Sequence, residues 1–212
     1  MATMTSNSTN NAVPTARNTA TVSAMPATPA TPAAPAAHAT YQIDPAASRV
    51  EFSIRKRLFF VKKLTVTGRF SEVEGTITLD EQDPGTAQAE VTIGAASIDT
   101  GNAKRDKHLL KADFFHVDQH PTLTFRSRRV EPVDAAAGRY RVVGDLTVRG
   151  VTRDVALETH YIPARGGEHD QRIALTLTAP LNRQDFGITW SSPVIKVADD
   201  LTITLTIEAT RA

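Results

Sequence analysis

The sequence predicts an all-β domain built as an antiparallel barrel of about eight strands, with one short helix and a disordered N-terminal tail. Three observations lead there. Apolar and polar residues alternate with period two through almost every segment after residue 48, turn-forming residues punctuate those segments, and only one stretch changes to helical spacing. A strand with one apolar face has to bury it, and a chain of 212 residues can do so as a two-sheet sandwich or as a barrel. The barrel also removes the exposed sheet edges.

Residues 1–40 are almost entirely Ala, Thr, Pro, Ser and Asn and contain no aromatic side chain. Such a composition cannot bury enough apolar surface to offset the entropy of ordering, so a disordered tail is expected, followed by one domain over 41–212. Val50, Phe52 and Ile54 open the alternation, flanked by Arg49, Glu51, Ser53 and Arg55. Leu64, Val66, Gly68 and Phe70 form a second segment, Val73, Gly75, Ile77 and Leu79 a third, and Ala89, Val91 and Ile93 a fourth. Asp83-Pro84-Gly85 is the expected turn between the last two.

Asn102–Asp113 breaks the rhythm: Asn102 can cap a short helix on which Leu109, Leu110 and Ala112 share a face. Alternation resumes after Pro121 with Leu123, Phe125 and Ser127, then Val142, Gly144, Leu146 and Val148, then Val151, Arg153, Val155 and Leu157. Arg149-Gly150 marks a tight hairpin between those last two segments. Ile173, Leu175, Leu177 and Ala179 follow, and Leu201, Ile203, Leu205, Ile207 and Ala209 end the pattern. Asn182–Val197, with Phe186-Gly187, Trp190 and Pro193, reads as a structured loop with a helical turn over an open end. A barrel of about eight strands is either just filled by side chains or holds one small ligand. Gly68, Gly75 and Gly144 inside strands fit either room for a ligand or bulges and bends.

Composition narrows the function classes. A formal net charge of +1 provides no global field toward nucleic acid, and the chain has no cysteine for disulfides, thiolate metal sites or catalysis. No run approaches the roughly 18 apolar residues of a membrane-spanning helix. Ala37-His38-Ala39 resembles a small-residue cleavage site, but the preceding segment has Arg17 as its one charge and is interrupted by prolines. A retained tail and a cytoplasmic protein are therefore expected, with export as the alternative.

Catalytic signals are sparse. His108, His116 and His120 lie near Asp113 and Asp118, yet their spacing matches no compact metal-ligand motif, so turn-capping or solvent-facing histidines are expected and no metal or cofactor. Asp99, Arg105, Asp106 and His108 surround the predicted helix start. They suit acid–base chemistry or, as the simpler reading, an ion pair that pins the helix. Asp199 and Asp200 read as solvated turn residues. Two basic runs occur, Arg55–Lys63 and Arg126–Arg129. The first encloses Leu58, Phe59, Phe60 and Val61, which either fold back under the barrel or rest transiently on a membrane.

Several ordered motifs carry a family resemblance: 48–54 (Ser-Arg-Val-Glu-Phe-Ser-Ile), Val66-Thr67-Gly68-Arg69-Phe70, Ser97-Ile98-Asp99-Thr100, and Arg105-Asp106-Lys107-His108-Leu109. They continue with Asp113-Phe114-Phe115, 121–127 (Pro-Thr-Leu-Thr-Phe-Arg-Ser), 144–152 (Gly-Asp-Leu-Thr-Val-Arg-Gly-Val-Thr) and Arg183-Gln184-Asp185-Phe186-Gly187. Over 41–211 the chain resembles the YceI-like family of lipid-binding proteins. Lys56 stands where many members have a histidine. The resemblance implies an extended, lipocalin-like eight-stranded barrel around a hydrophobic tunnel for a polyisoprenoid or an isoprenoid quinone, and a binding protein rather than an enzyme. A homodimer is compatible with it.

On that reading the tunnel lining comprises Phe52, Ile54, Phe70, Val91, Ile93, Phe115, Leu123, Phe125, Leu146, Val148, Leu175, Phe186 and Trp190. Arg105, Asp106, His108 and Arg183 are the headgroup candidates. The alternative is an enzyme that acts on a quinone or isoprenoid through the His108 region.

Overall fold

In the computed structural model, residues 38–58, 62–163 and 172–212 are described. The expected tail before His38 and the Phe59, Phe60 and Val61 run lie outside them. The strands are β1 (Ala39–Ile43), β2 (Arg49–Leu58), β3 (Lys62–Phe70), β4 (Val73–Asp80), β5 (Asp83–Gly94), β6 (Ile98–Asp99), β7 (Thr122–Asp134), β8 (Arg139–Val148), β9 (Val151–Ile162), β10 (Arg172–Asn182) and β11 (Ile195–Arg211). Among the described residues one α-helix, α1, spans Ala103–Leu109. All strand pairs are antiparallel.

Eight strands close into a ring in the order β1-β4-β5-β7-β8-β9-β10-β11, which returns to β1. The closing strand begins at Ala39, two residues before the expected domain start. It was absent from the period-two reading because five residues give too short a pattern to separate from the tail. Tyr41 pairs with Ile77 of β4 on one side and with Arg211 of β11 on the other.

β2 takes over the same edge of β11 further along, from Arg49 opposite Thr206 to Leu58 opposite Ile195. The chain turns a corner between these two uses of the edge. The Asp44 carboxylate accepts from the Ala46 N–H at 2.9 Å, while the buried Ser48 hydroxyl donates to the Glu208 carbonyl at 3.2 Å and accepts from its N–H at 3.1 Å. A side chain thus satisfies the backbone groups of β11 where neither strand reaches.

β3 completes a hairpin with β2, but β6 pairs with its other edge at Arg69 and Phe70 alone. Among the described residues, the remainder of that edge has no strand partner. The turns after α1 reach the side chains of β3: Phe115 meets Phe70 edge-on at 5.7 Å.

Two local expectations need adjustment. β4 and β5 reverse at Glu81 and Gln82, not at Asp83-Pro84-Gly85, because Asp80 already pairs with Asp83 and its carboxylate holds the Gln82 N–H at 2.9 Å. Pro84 is tolerated inside β5 because β5 pairs with β7 only from Glu90 onward, so no ladder bond is lost. The β8–β9 hairpin does turn at Arg149-Gly150. Both have positive φ (55° and 73°), the two-residue turn whose twist matches the strands.

The interior divides along the barrel. Tyr41, Leu79, Ile173, Ile207 and Ala209 belong to a packed core, whereas Ile195, Val197, Leu201 and Ile203 of the same strand β11 face a cavity.

Candidate functional site: a half-barrel apolar cavity

The cavity measures about 790 Å³ and reaches the surface beside α1. That is within the roughly 300–1,000 Å³ of small-molecule sites. β2 and β3 supply Phe52, Ile54, Val66 and Phe70, and β11 supplies the four apolar residues just named. β7 and β8 each add one residue, Leu123 and Val148. Phe114, Phe115, Phe186, Ile188 and Trp190 come from the irregular segments after α1 and after β10. The aliphatic strands therefore make the wall, and aromatic rings close over it. The Trp190 ring packs on Phe114 at 5.5 Å and meets His108 edge-on at 5.8 Å.

Of the expected lining, Phe52, Ile54, Phe70, Phe115, Leu123, Val148, Phe186 and Trp190 face this space. Val91, Ile93 and Leu146 are buried in the packed core, and Phe125 and Leu175 lie against it. Alternation finds the inward face but not the depth at which packing gives way to space, which explains the difference. Val66, Leu109, Phe114, Ile188, Ile195, Val197, Leu201 and Ile203 line the cavity and were missing from the expected set. Leu201 and Ile203 carried the same alternation signal as the rest of β11.

The strand glycines do not make the room. A Cβ on Gly68 would lie 2.5 Å from the Phe52 ring, and one on Gly144 would lie 2.3 Å from the Arg126 carbonyl oxygen and 2.7 Å from the Phe125 ring. These positions, and Gly75 against the Glu90 carbonyl at 2.2 Å, are close approaches of backbone and aromatic rings.

The headgroup candidates separate in the same way. Arg183 is 9 % exposed and its donors are all directed into the fold. Nε donates to the Ala198 carbonyl at 3.1 Å, Nη1 to those of Ile188 (2.6 Å) and Trp190 (3.1 Å), and Nη2 to the Asp199 carboxylate at 2.7 Å. Arg183 thus holds the Ile188–Asp199 segment over the cavity. Asp199 is its partner rather than a free turn residue, and Asp200 accepts from the Asn182 amide at 3.0 Å.

At the start of α1, Asn102 accepts from the Arg105 N–H, as a cap should. The expected pinning ion pair is replaced by a cage around Thr100. Arg105 donates from Nε to the Thr100 hydroxyl at 2.7 Å and from Nη2 to its carbonyl at 2.8 Å, while the Asp106 carboxylate accepts from the Thr100 N–H at 3.1 Å and from its hydroxyl. Asp106 does not line the cavity. Asp99 instead meets Arg69 at 3.0 Å, and its carboxyl is held below the usual range by the Gly101 N–H and the Arg69 guanidinium.

His108 lines the cavity with Nε2 3.3 Å from the Asp113 carboxylate. His116 and His120 meet edge-on at 5.8 Å. Among the described residues, no three His, Asp or Glu side chains converge as a metal site would need. Besides Arg105, His108 and Arg183 of the expected set, Lys56, Lys104, Lys107 and Lys111 line the cavity, and among the described residues no carboxylate does. The spacing of 104, 107 and 108 on one face of α1 was the available signal for three of these positions.

Residues 41–209 match the YceI-like domain. A UPF0312 protein of Pseudomonas aeruginosa is 36% identical over 157 residues, covering 71% of this chain and 76% of that protein. Another from Serratia proteamaculans is 34% identical, covering 68% and 73%. Among solved structures, the fold is similar to Burkholderia cenocepacia BcnA (22% identity, TM-score 0.67, covering 79% of this chain and 99% of that one). It is also similar to the Campylobacter jejuni YceI protein (26%, TM-score 0.63, covering 72% and 88%). A polyisoprenoid-binding domain from Saccharophagus degradans shares the fold at 17% identity, with TM-score 0.58 and 81% and 98% coverage. The ring topology, the family match and these relatives agree, and this chain belongs to the YceI-like domain family.

Proposed function

We propose that the protein holds a long-chain amphiphilic lipid, a polyisoprenoid or an isoprenoid quinone, in its half-barrel cavity for carriage, storage or sequestration. The observation that carries this reading is the cavity itself: about 790 Å³, walled by aliphatic and aromatic side chains from both the strands and the covering segments, with the exposed Lys104, Lys107 and Lys111 in its lining. Burying an apolar chain there stabilises a complex by roughly 25 cal/mol for each Å² removed from water. The packed core around Ile207 and Ala209 sets a floor, so the depth of the cavity limits the length of chain enclosed. The polyisoprenoid-binding domain of Saccharophagus degradans supports the reading through its shared fold.

Native mass spectrometry of the freshly purified full chain is the test. A co-purified amphiphile of discrete mass is expected, displaced by added prenyl lipid or quinone. Clean apoprotein that takes up neither would refute the reading. The His108–Asp113 contact in the cavity wall favours one second reading, an enzyme that acts on the bound quinone or isoprenoid. Turnover of such a lipid that His108→Ala abolishes while binding persists would support it.

A further inference from the structure

Charge is distributed unevenly over the barrel. Five arginines of β7 and β8 are paired: Arg126 with Glu90 at 3.0 Å, Arg128 with Asp154 at 2.7 Å, Arg129 with Glu131 at 2.6 Å, Arg139 with Asp134 at 2.7 Å and Arg141 with Glu158 at 2.9 Å. The second basic run is thus neutralised in place. The first is not.

Lys196 of β11 is directly opposite Arg57 of β2, and Arg57 is directly opposite Lys63 of β3. Three like charges therefore stand side by side across three strands, an arrangement that destabilises a sheet unless something outside compensates it. Arg55 lies two residues along on the same face as Arg57. These four residues are exposed, and none appears in an ion pair among the described residues. They line a groove of about 560 Å³ in which, among the described residues, there is no carboxylate. Lys56 and Val197 line both this groove and the apolar cavity, so the cationic face adjoins the cavity. Lys104, Lys107 and Lys111 continue the unpaired charge around the rim on the α1 side. A net charge of +1 on the whole chain makes this a local device rather than a general property.

We propose that this face docks on a bilayer surface rich in anionic phospholipid, with the opening of the cavity held against the membrane. Charge complementarity identifies the occupant: a row of cations across three adjacent strands needs a laterally extended array of negative charge, and a bilayer with anionic headgroups supplies one. Docking there would place the opening where an amphiphile can pass between bilayer and cavity. The outer face is separate from the apolar lining, so membrane docking and lipid holding succeed or fail independently.

The test is flotation of the full chain with vesicles of phosphatidylcholine alone or with about one quarter phosphatidylglycerol, over a salt series from about 50 to 500 mM. Wild-type protein is expected to float with the anionic vesicles only and to leave them as salt rises. The quadruple variant Arg55→Ala, Arg57→Ala, Lys63→Ala, Lys196→Ala, which leaves the cavity lining intact, should lose at least on the order of 100-fold in partitioning, at roughly fivefold per cation. It should retain its co-purified amphiphile and melt no lower than wild type, because like-charge contacts are removed. Equal flotation with both vesicle types, salt-independent binding, or a variant that binds like wild type would overturn the proposal. So would wild-type protein that ignores anionic vesicles but retains a duplex DNA oligonucleotide, which would assign the face to nucleic acid. The salt series with wild-type protein decides the matter even if the variant fails to fold.

Discussion

Replacing Arg183 with alanine separates a headgroup ligand from a structural clamp. The guanidinium makes four bonds, three to carbonyls of the segment over the cavity and one to Asp199. At about 1.5–3 kcal/mol for each bond to a charged group, simple addition would exceed 6 kcal/mol. That sum is too high, because the Asp199 side chain is 44% exposed and regains water when its partner is removed. The three carbonyls left without their donor, at about 1–1.5 kcal/mol each, make roughly 3–5 kcal/mol the better guide. For a domain of this size it corresponds to a fall in Tm of roughly 6–20 °C, at 2–4 °C per kcal/mol. Scanning fluorimetry measures it directly. Trp190 is the chain's one tryptophan and its carbonyl is an Arg183 acceptor, so its emission should also shift to the red in the folded variant. Arg183→Lys, which keeps the charge but not the fork of donors, should fall between the two. A variant that melts within about 2 °C of wild type yet loses its lipid would refute the argument and return Arg183 to the headgroup.

Ile203→Trp should fill the cavity from its β11 wall and cut the co-purified lipid at least tenfold, with little loss of Tm; an unchanged lipid load in native mass spectra would count against the cavity as the binding site. Gly144→Ala forces a Cβ to 2.3 Å from a backbone oxygen and should cost about 1–3 kcal/mol, measured as a lowered urea midpoint. Tyr41 and Tyr161 should be slow to ionise: burial raises both phenols, and the Glu81 carboxylate that accepts from the Tyr41 hydroxyl raises Tyr41 further. Since the folded state disfavours tyrosinate, their contribution to stability is complete below the unfolded value of about 10 and is lost as pH rises above it. Absorbance at about 295 nm should therefore rise for these two together with loss of near-ultraviolet circular dichroism; full titration with the fold intact would contradict the burial argument.

Much of the barrel was legible in the linear sequence because period two is a local property. The inward sets of the longer strands, the Asn102 cap and the Arg149-Gly150 hairpin depend on neighbours within a few residues. The Ser-Ile-Asp-Thr and Arg-Gln-Asp-Phe-Gly elements, at Ser97 and Arg183, were readable as family marks, yet their roles were not. Arg183 looks like a free cation until the fold brings the Ile188, Trp190 and Ala198 carbonyls around it, and Arg105 and Asp106 look like a functional pair until Thr100 takes both.

By itself the sequence determined the strand faces, the single helix and the family. Tertiary structure alone decided where the interior is packed and where it is empty. Val91 and Ile203 carry the same alternation signal, but one lies in the core and the other faces the cavity, because side-chain packing depends on what the ring of strands places opposite each residue. It also decided which charges are neutralised. Arg126 and Arg128 of the second basic run find carboxylates on other strands, Glu90 of β5 and Asp154 of β9, while Arg57 finds Lys63 and Lys196, a difference set by the cross-strand arrangement that no local reading of the chain contains.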